Sequence, residues 1–284
     1  MHASPPHRRA LLALTAVQLL FGTLGPIGKI ALPAFGATGV ALGRIVGGAL
    51  VFGLLRRIQG LPGVPPALRG RFLLCAFLGV AGNQLLFLEG LSRTSAVHAT
   101  LIVTTTPVFT MVVGALLHRE RPPLRSLLGV VLSLGGVALL LGPALGAGAL
   151  VGDLLILCNT ALYATYLVIS RPLLTALPPL SVAAGLFAYA VPFVIIGAGI
   201  PTVTVSGPAL AALAWIVAGP TVGTYLLNLV AQRHLSATLV GLFISLQPFV
   251  AAALAIPLLG ETPGLREAAA AALSLAGIWV ATRP

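Results

Sequence analysis

Acid is nearly missing from this chain. Five of its 284 residues are acidic: Glu89, Glu120, Asp153, Glu261 and Glu267. One aspartate excludes a catalytic aspartate pair. Neither a His-Glu-x-x-His nor a Gly-x-Ser-x-Gly stretch occurs, and no Walker loop is present to cradle phosphates. The chain therefore reads as neither an enzyme nor an ATP-driven machine, with no cofactor and no metal. Charged residues of both signs make up only 7%, too few to cover a water-soluble globule. The two cysteines, Cys75 and Cys158, fall inside apolar segments and imply no structural disulfide. No carboxylate lies in the middle of an apolar segment, which removes the usual buried proton-relay group.

What fills the chain is hydrocarbon. Hydrophobic residues reach 58% and the mean hydropathy is +1.08. The 33 glycines and 22 prolines sit within apolar runs. Membrane helices tolerate them there, because small residues allow close packing and proline can bend a helix without wetting its backbone. A membrane span needs about 20 mostly apolar residues. Ten candidates follow, at 9–30, 37–57, 68–91, 95–117, 124–141, 150–171, 180–200, 209–231, 235–259 and 263–282. No small-residue cleavage site follows the first, which reads as a retained membrane helix. The expected class is an all-α integral membrane protein with ten transmembrane helices.

The net charge of +11 is dispersed in short basic clusters between apolar spans. That is the bias of cytoplasmic loops, not of a nucleic-acid face. With the N-terminus in the cytoplasm, twelve basic residues fall inside: Arg8, Arg9, Arg56, Arg57, Arg69, Arg71, Arg119, Arg121, Arg125, Arg171, Arg233 and Arg283. Lys29, Arg93 and Arg266 fall outside, and Arg44 lies within a span. Ten spans place both termini in the cytoplasm.

The chain also repeats itself. Residues 95–122 align with 236–263 at an offset of 141, about half the chain, with seven identities in 28 positions. The matches include Ser95-Ala96 with Ser236-Ala237, Pro107 with Pro248, Glu120 with Glu261, and Pro122 with Pro263. Residues 11–29 align more loosely with 154–172. Two five-span halves, 1–142 and 143–284, follow. Five is odd, so the second half enters the membrane upside down, and Glu120 and Glu261 end their helices on opposite faces. Such inverted repeats are a common construction of secondary transporters, with a site at the midplane between the halves.

Spans five and ten are the least polar and belong at the periphery. The polar intramembrane groups lie elsewhere: Gln18, Arg44, Asn83, Gln84, His98, Asn159, Tyr163, Tyr166, Tyr225, Asn228 and Gln247. An amide in hydrocarbon must find a partner or a wet cavity, and both readings stay open for each. Arg44 lies about 10 Å into its span at a rise of 1.5 Å per residue. A charge at that depth snorkels, is paired, or anchors an anionic group of a substrate. Pro107 and Pro248 each remove a mid-helix hydrogen bond. They are read as kinks that shape a cavity and serve gating.

These residues resemble the drug/metabolite transporter superfamily, and within it the EamA-type ten-helix exporters. The resemblance rests on residues 83–91 (Asn-Gln-Leu-Leu-Phe-Leu-Glu-Gly-Leu), Thr94-Ser95-Ala96, Pro107 and Glu120. It continues in Gly152-Asp153-Leu154-Leu155, Ala164-Thr165-Tyr166, Ser170-Arg171, Ser236-Ala237, Pro248 and Glu261. Arg44 is similar to an arginine that the family often carries in its second helix. The resemblance implies two inverted five-helix repeats around a cavity lined by spans one to four and six to nine. It also implies small-metabolite substrates, amino acids foremost, including those of the YddG-type aromatic amino-acid exporters. Four-helix relatives use a glutamate in the first helix, where this chain has Thr15, Gln18 and Thr23. The expected protein is a monomer or weak homodimer of a bacterial inner membrane, exporting amino acids by alternating access. Rival readings are an exporter of amphipathic drugs and a non-transporting membrane receptor or assembly protein.

Overall fold

The computed structural model describes residues 5–118, 124–140, 147–198, 206–232, 243–244 and 246–282, which are mainly helical with no strand among them. In chain order the helices are α1 (Pro5–Ile58), α2 (Pro66–Arg93), α3 (Ala96–Leu117), α4 (Leu124–Leu140) and α5 (Ala147–Ile169). A short α6 (Arg171–Ala176) follows, then α7 (Pro179–Ala198), α8 (Gly207–Asn228), α9 (Gln247–Leu259) and α10 (Leu265–Thr282). Six of these, α1, α2, α3, α5, α7 and α8, are long and apolar enough to cross a membrane. Large apolar side chains face outward: Leu116 is 73% exposed, Ile196 83% and Leu265 89%. Water would penalise such a surface, and hydrocarbon would not.

The helix α1 is two limbs meeting at Gly36, whose φ of 62° and ψ of 171° are open to glycine alone. The limbs double back. Trp215 Nε1 on α8 donates to Thr23 Oγ1 in the first limb at 2.9 Å. Gly43 and Gly47 in the second limb face Leu213 and Val217 on the same helix. An unbroken helix would separate residues 23 and 45 by about 33 Å. The break expected near Pro33 and Gly36 is therefore a hairpin turn.

Two further interruptions shape the interior. At Thr104-Thr105 the helix α3 breaks, and its second segment starts at Thr106, with Pro107 in its first turn. At that position the missing N–H is an orphan in any case. The hydroxyls of Thr104, Thr105 and Thr106 donate to the carbonyls of Leu101, Ile102 and Val103 at 2.6–2.7 Å, so the freed acceptors are met locally. Likewise α9 starts at Gln247 with Pro248 in its first turn. The expected proline kinks are helix starts. In α2 and α8, π-helical turns occupy Phe77–Ala81 and Val217–Gly223. Shifted by 141, residues 77–81 fall on 218–222.

The helices α4 and α10, the pair expected at the periphery, pack on each other. A side chain on Gly136 would collide with Ser274, and one on Gly277 with the backbone at Ser133. Residue 133 thus opposes 277 while 136 opposes 274. The helices run antiparallel, and the contacts exchange under the 141-residue shift. Apolar cores fill the interior, one around Leu88, Leu91, Ile102 and Ile156, another around Phe52, Phe72, Leu186 and Phe187.

Candidate functional site: a cavity around a buried guanidinium

A cavity of about 150 Å³ lies among the helices. Its walls come from both limbs of α1 (Gln18, Phe21, Arg44), from α2 (Asn83, Gln84, Phe87), α3 (Thr100, Thr106), α5 (Asn159, Thr160, Tyr163), α8 (Tyr225, Asn228) and α9 (Gln247). Nine of the eleven polar residues singled out from the sequence meet there. The helices α4 and α10 contribute nothing, as expected. Nor does α7, contrary to the lining implied by the family resemblance. Its Phe187 instead backs the Tyr225 ring at 5.0 Å.

Arg44 is 3% exposed, so it does not snorkel. Its Nε donates to Thr221 Oγ1 at 3.0 Å. That hydroxyl in turn donates to the Ile216 carbonyl, five residues back, at 2.9 Å. The π-helical turn aligns residue 221 with the carbonyl five residues back, and Pro220 has no N–H to donate to it. The helix irregularity therefore builds the seat of the guanidinium. Sequence reading passed over Thr221; its traces were the neighbouring Pro220, and Gly223 falling on Gly82 at the 141-residue shift. Among the described residues no carboxylate reaches Arg44, and none lines the cavity. A buried cation without a counter-ion is costly, and an anionic group entering the cavity removes that cost.

The amides divide into tied and free. Gln247 Nε2 donates to Gln18 Oε1 at 2.6 Å. Asn159 Nδ2 donates to the Asn83 carbonyl at 2.7 Å, and Asn83 Nδ2 to the Asn159 carbonyl at 3.4 Å. These pairs cross-link α1 to α9 and α2 to α5. By contrast, Gln84 Oε1 and Asn228 Oδ1 are buried acceptors without a partner among the described residues. Thr221, Tyr225 and Asn228 follow at i, i+4 and i+7 and share one face of α8, so the free Asn228 acceptor stands on the same stripe as the Arg44 seat.

Two expected site residues lie elsewhere. Tyr166 is outside the lining set and packs over Gly79, its ring 5.7 Å from that of Tyr163. His98 belongs to a separate polar cluster. Its Nδ1 lies 3.1 Å from Asp153 Oδ2 and its Nε2 3.2 Å from Glu267 Oε1, while the Thr94 hydroxyl donates to Asp153. Beside it, the Glu261 carboxylate accepts from Ala96 N at 2.7 Å and Val97 N at 3.1 Å, capping α3. The helix-end role read for Glu261 is thus observed. Its repeat mate Glu120, with Ser236 and Ala237, lies outside the described residues.

The profile of the EamA-like transporter family matches twice, over residues 8–142 and 150–283. The chain belongs to the EamA-like transporter family. It is 27% identical over 224 residues to an uncharacterised transporter of Archaeoglobus fulgidus, covering 76% of this chain and 74% of the relative. It is 29% identical over 190 residues to an uncharacterised protein of Pseudomonas aeruginosa, covering 66% and 64%. A crystal structure superposes with a TM-score of 0.66 at 22% identity, covering 96% of each chain, and shares the fold. With its apolar helices, the EamA-like chain is a multi-pass membrane transporter.

Proposed function

We propose that this EamA-like protein exports small zwitterionic solutes, amino acids with uncharged side chains foremost, by alternating access across a bacterial inner membrane. The observation that carries the reading is the buried, carboxylate-free guanidinium of Arg44 in the cavity. The substrate carboxylate pairs with it. The substrate ammonium is met by the free acceptors Gln84 Oε1 and Asn228 Oδ1, and Tyr163, Tyr225, Phe21 and Phe87 enclose the side chain. A cavity of about 150 Å³ suits one small ring or aliphatic chain. With Arg44 as the charge in the described lining, organic cations are repelled.

The transport cycle rests on ten spans in two inverted halves, residues 1–142 and 143–284, with both termini cytoplasmic. The twofold family match, the coincident π-helical turns and the exchanged antiparallel contacts of α4 with α10 support this arrangement. The breaks at Thr104-Thr105 and before Gln247 supply points where helix ends swing. Counterflow into proteoliposomes tests the substrate class. The expected order is a neutral amino acid first, its deaminated acid next, and its carboxamide last. Equal flux of amino acid and carboxamide would refute the carboxylate anchor, and absence of all three fluxes from folded protein would refute the substrate class.

A further inference from the structure

A second hollow, of about 780 Å³, lies away from the central cavity. It sits where α1 ends and the chain turns into α2. Arg56, Arg57 and Arg69 line it from one side, and Ser181, Gly185 and Tyr189 of α7 from the other. No carboxylate is among its lining residues. The two arginines ending α1 also face that helix's negative dipole end, which favours cations there. The Arg56 guanidinium is steadied by a 3.4 Å bond from Nη1 to the Leu61 carbonyl.

Two features show that this is more than a solvated basic turn. Ser181 is 1% exposed, and its Oγ has no partner among the described residues. A buried hydroxyl without a partner is costly, and the residue that carries this one lines the hollow. Beside the arginines, the same hollow is lined by Leu50 and Leu54, which are 68% and 58% exposed. Fixed positive charge, an unsatisfied hydroxyl and an outward apolar flank therefore meet at the end of a membrane helix.

We propose that this hollow holds the phosphate headgroup of an anionic phospholipid. Arg56, Arg57 and Arg69 face the phosphate, because guanidinium groups match its geometry and charge. The Ser181 hydroxyl donates to a phosphate or glycerol oxygen, and the acyl chains run along Leu50 and Leu54. The site is independent of the transport substrate. It joins α1, α2 and α7, so occupancy braces those helices.

Native mass spectrometry of the full chain, with titration of phosphatidylglycerol against phosphatidylcholine, reads the site directly. Wild type is expected to retain one phosphatidylglycerol and to release phosphatidylcholine. The R56Q/R57Q/R69Q variant is expected to lose at least about tenfold in affinity, given the strength of charge-assisted hydrogen bonds. Arg171→Gln, a basic residue outside the hollow, should bind as wild type. Ser181→Val, which removes the hydroxyl and narrows the hollow, should weaken retention about fivefold or more and carries the test if the triple variant does not fold. Equal retention of the two lipids, or wild-type retention by either groove variant, would overturn the proposal. Displacement of the lipid by inorganic phosphate at matched concentration would overturn its lipid part.

Discussion

Arg44 shows how one side chain sets the chemistry of an otherwise neutral space. The sequence displayed its depth, yet left open whether it snorkels, pairs or waits for a ligand. The helix crossing that brings Thr221 beneath its Nε buries it, which removes snorkelling from the three. The amides pose the same problem. Asn83 and Gln84 are adjacent in sequence, but Asn83 is tied to α5 while the Gln84 acceptor is free. Partner choice belongs to the neighbouring helix, and no local pattern encodes it. Gln84→Leu should therefore lower binding of a neutral amino acid about tenfold, the worth of a hydrogen bond to a charged group, and spare its deaminated acid. Isothermal titration of both ligands checks this. His98 stands apart from the cavity for a related reason. Its partners Asp153 and Glu267 stand 55 and 169 residues away in the chain. Asp153 is fully buried, and Asp153→Ala would leave His98 Nδ1 and the Thr94 hydroxyl without their partner. The expected loss is about 3 kcal/mol, read as a lower midpoint in thermal unfolding of detergent-solubilised protein.

At the scale of elements, the helix positions were largely legible, because apolar run length is a strong signal. Each candidate span falls mainly on helical residues where the chain is described, apart from the break at Thr104-Thr105 and the last helix, which starts at Leu265. Irregularities were less legible. Pro107 and Pro248 announced a disturbance but not its form, which is a new helix start, supported at Pro107 by threonine hydroxyls. The π-helical turns left only weak compositional marks, Gly79 and Gly82 at one and Gly219, Pro220 and Gly223 in the other. The hinge of α1 gives the cleanest test of backbone control. A methyl group on Gly36 meets no atom within 4 Å, so Gly36→Ala acts through φ alone. It should destabilise the protein by about 1–3 kcal/mol, measured by the same unfolding assay. Gly53, a glycine with equally open surroundings and no positive φ, serves as the control and should tolerate alanine.

Across the whole molecule, the proposed alternating access requires one bundle used twice in opposite orientation. The repeat was visible in sequence because prolines, glutamates and a Ser-Ala pair are rare enough in an apolar chain to mark a register. The antiparallel contacts between α4 and α10 that support it were not visible, since small residues are common everywhere in this chain. Leu124 and Leu265 are repeat mates, exposed at 73% and 89%. Single cysteines at these positions, with Cys75 and Cys158 replaced, should react with a membrane-impermeant maleimide from opposite sides, Leu124→Cys from the cytoplasm and Leu265→Cys from outside. Labelling of both from one side would remove the inversion. The central claim, that Arg44 receives the substrate's carboxylate, is tested most directly by neutral amino-acid counterflow in proteoliposomes of wild type and Arg44→Gln, matched for folded protein. The account predicts that the variant loses most of the amino-acid flux, at least about tenfold for a lost charge-assisted pair; wild-type flux in Arg44→Gln would contradict it.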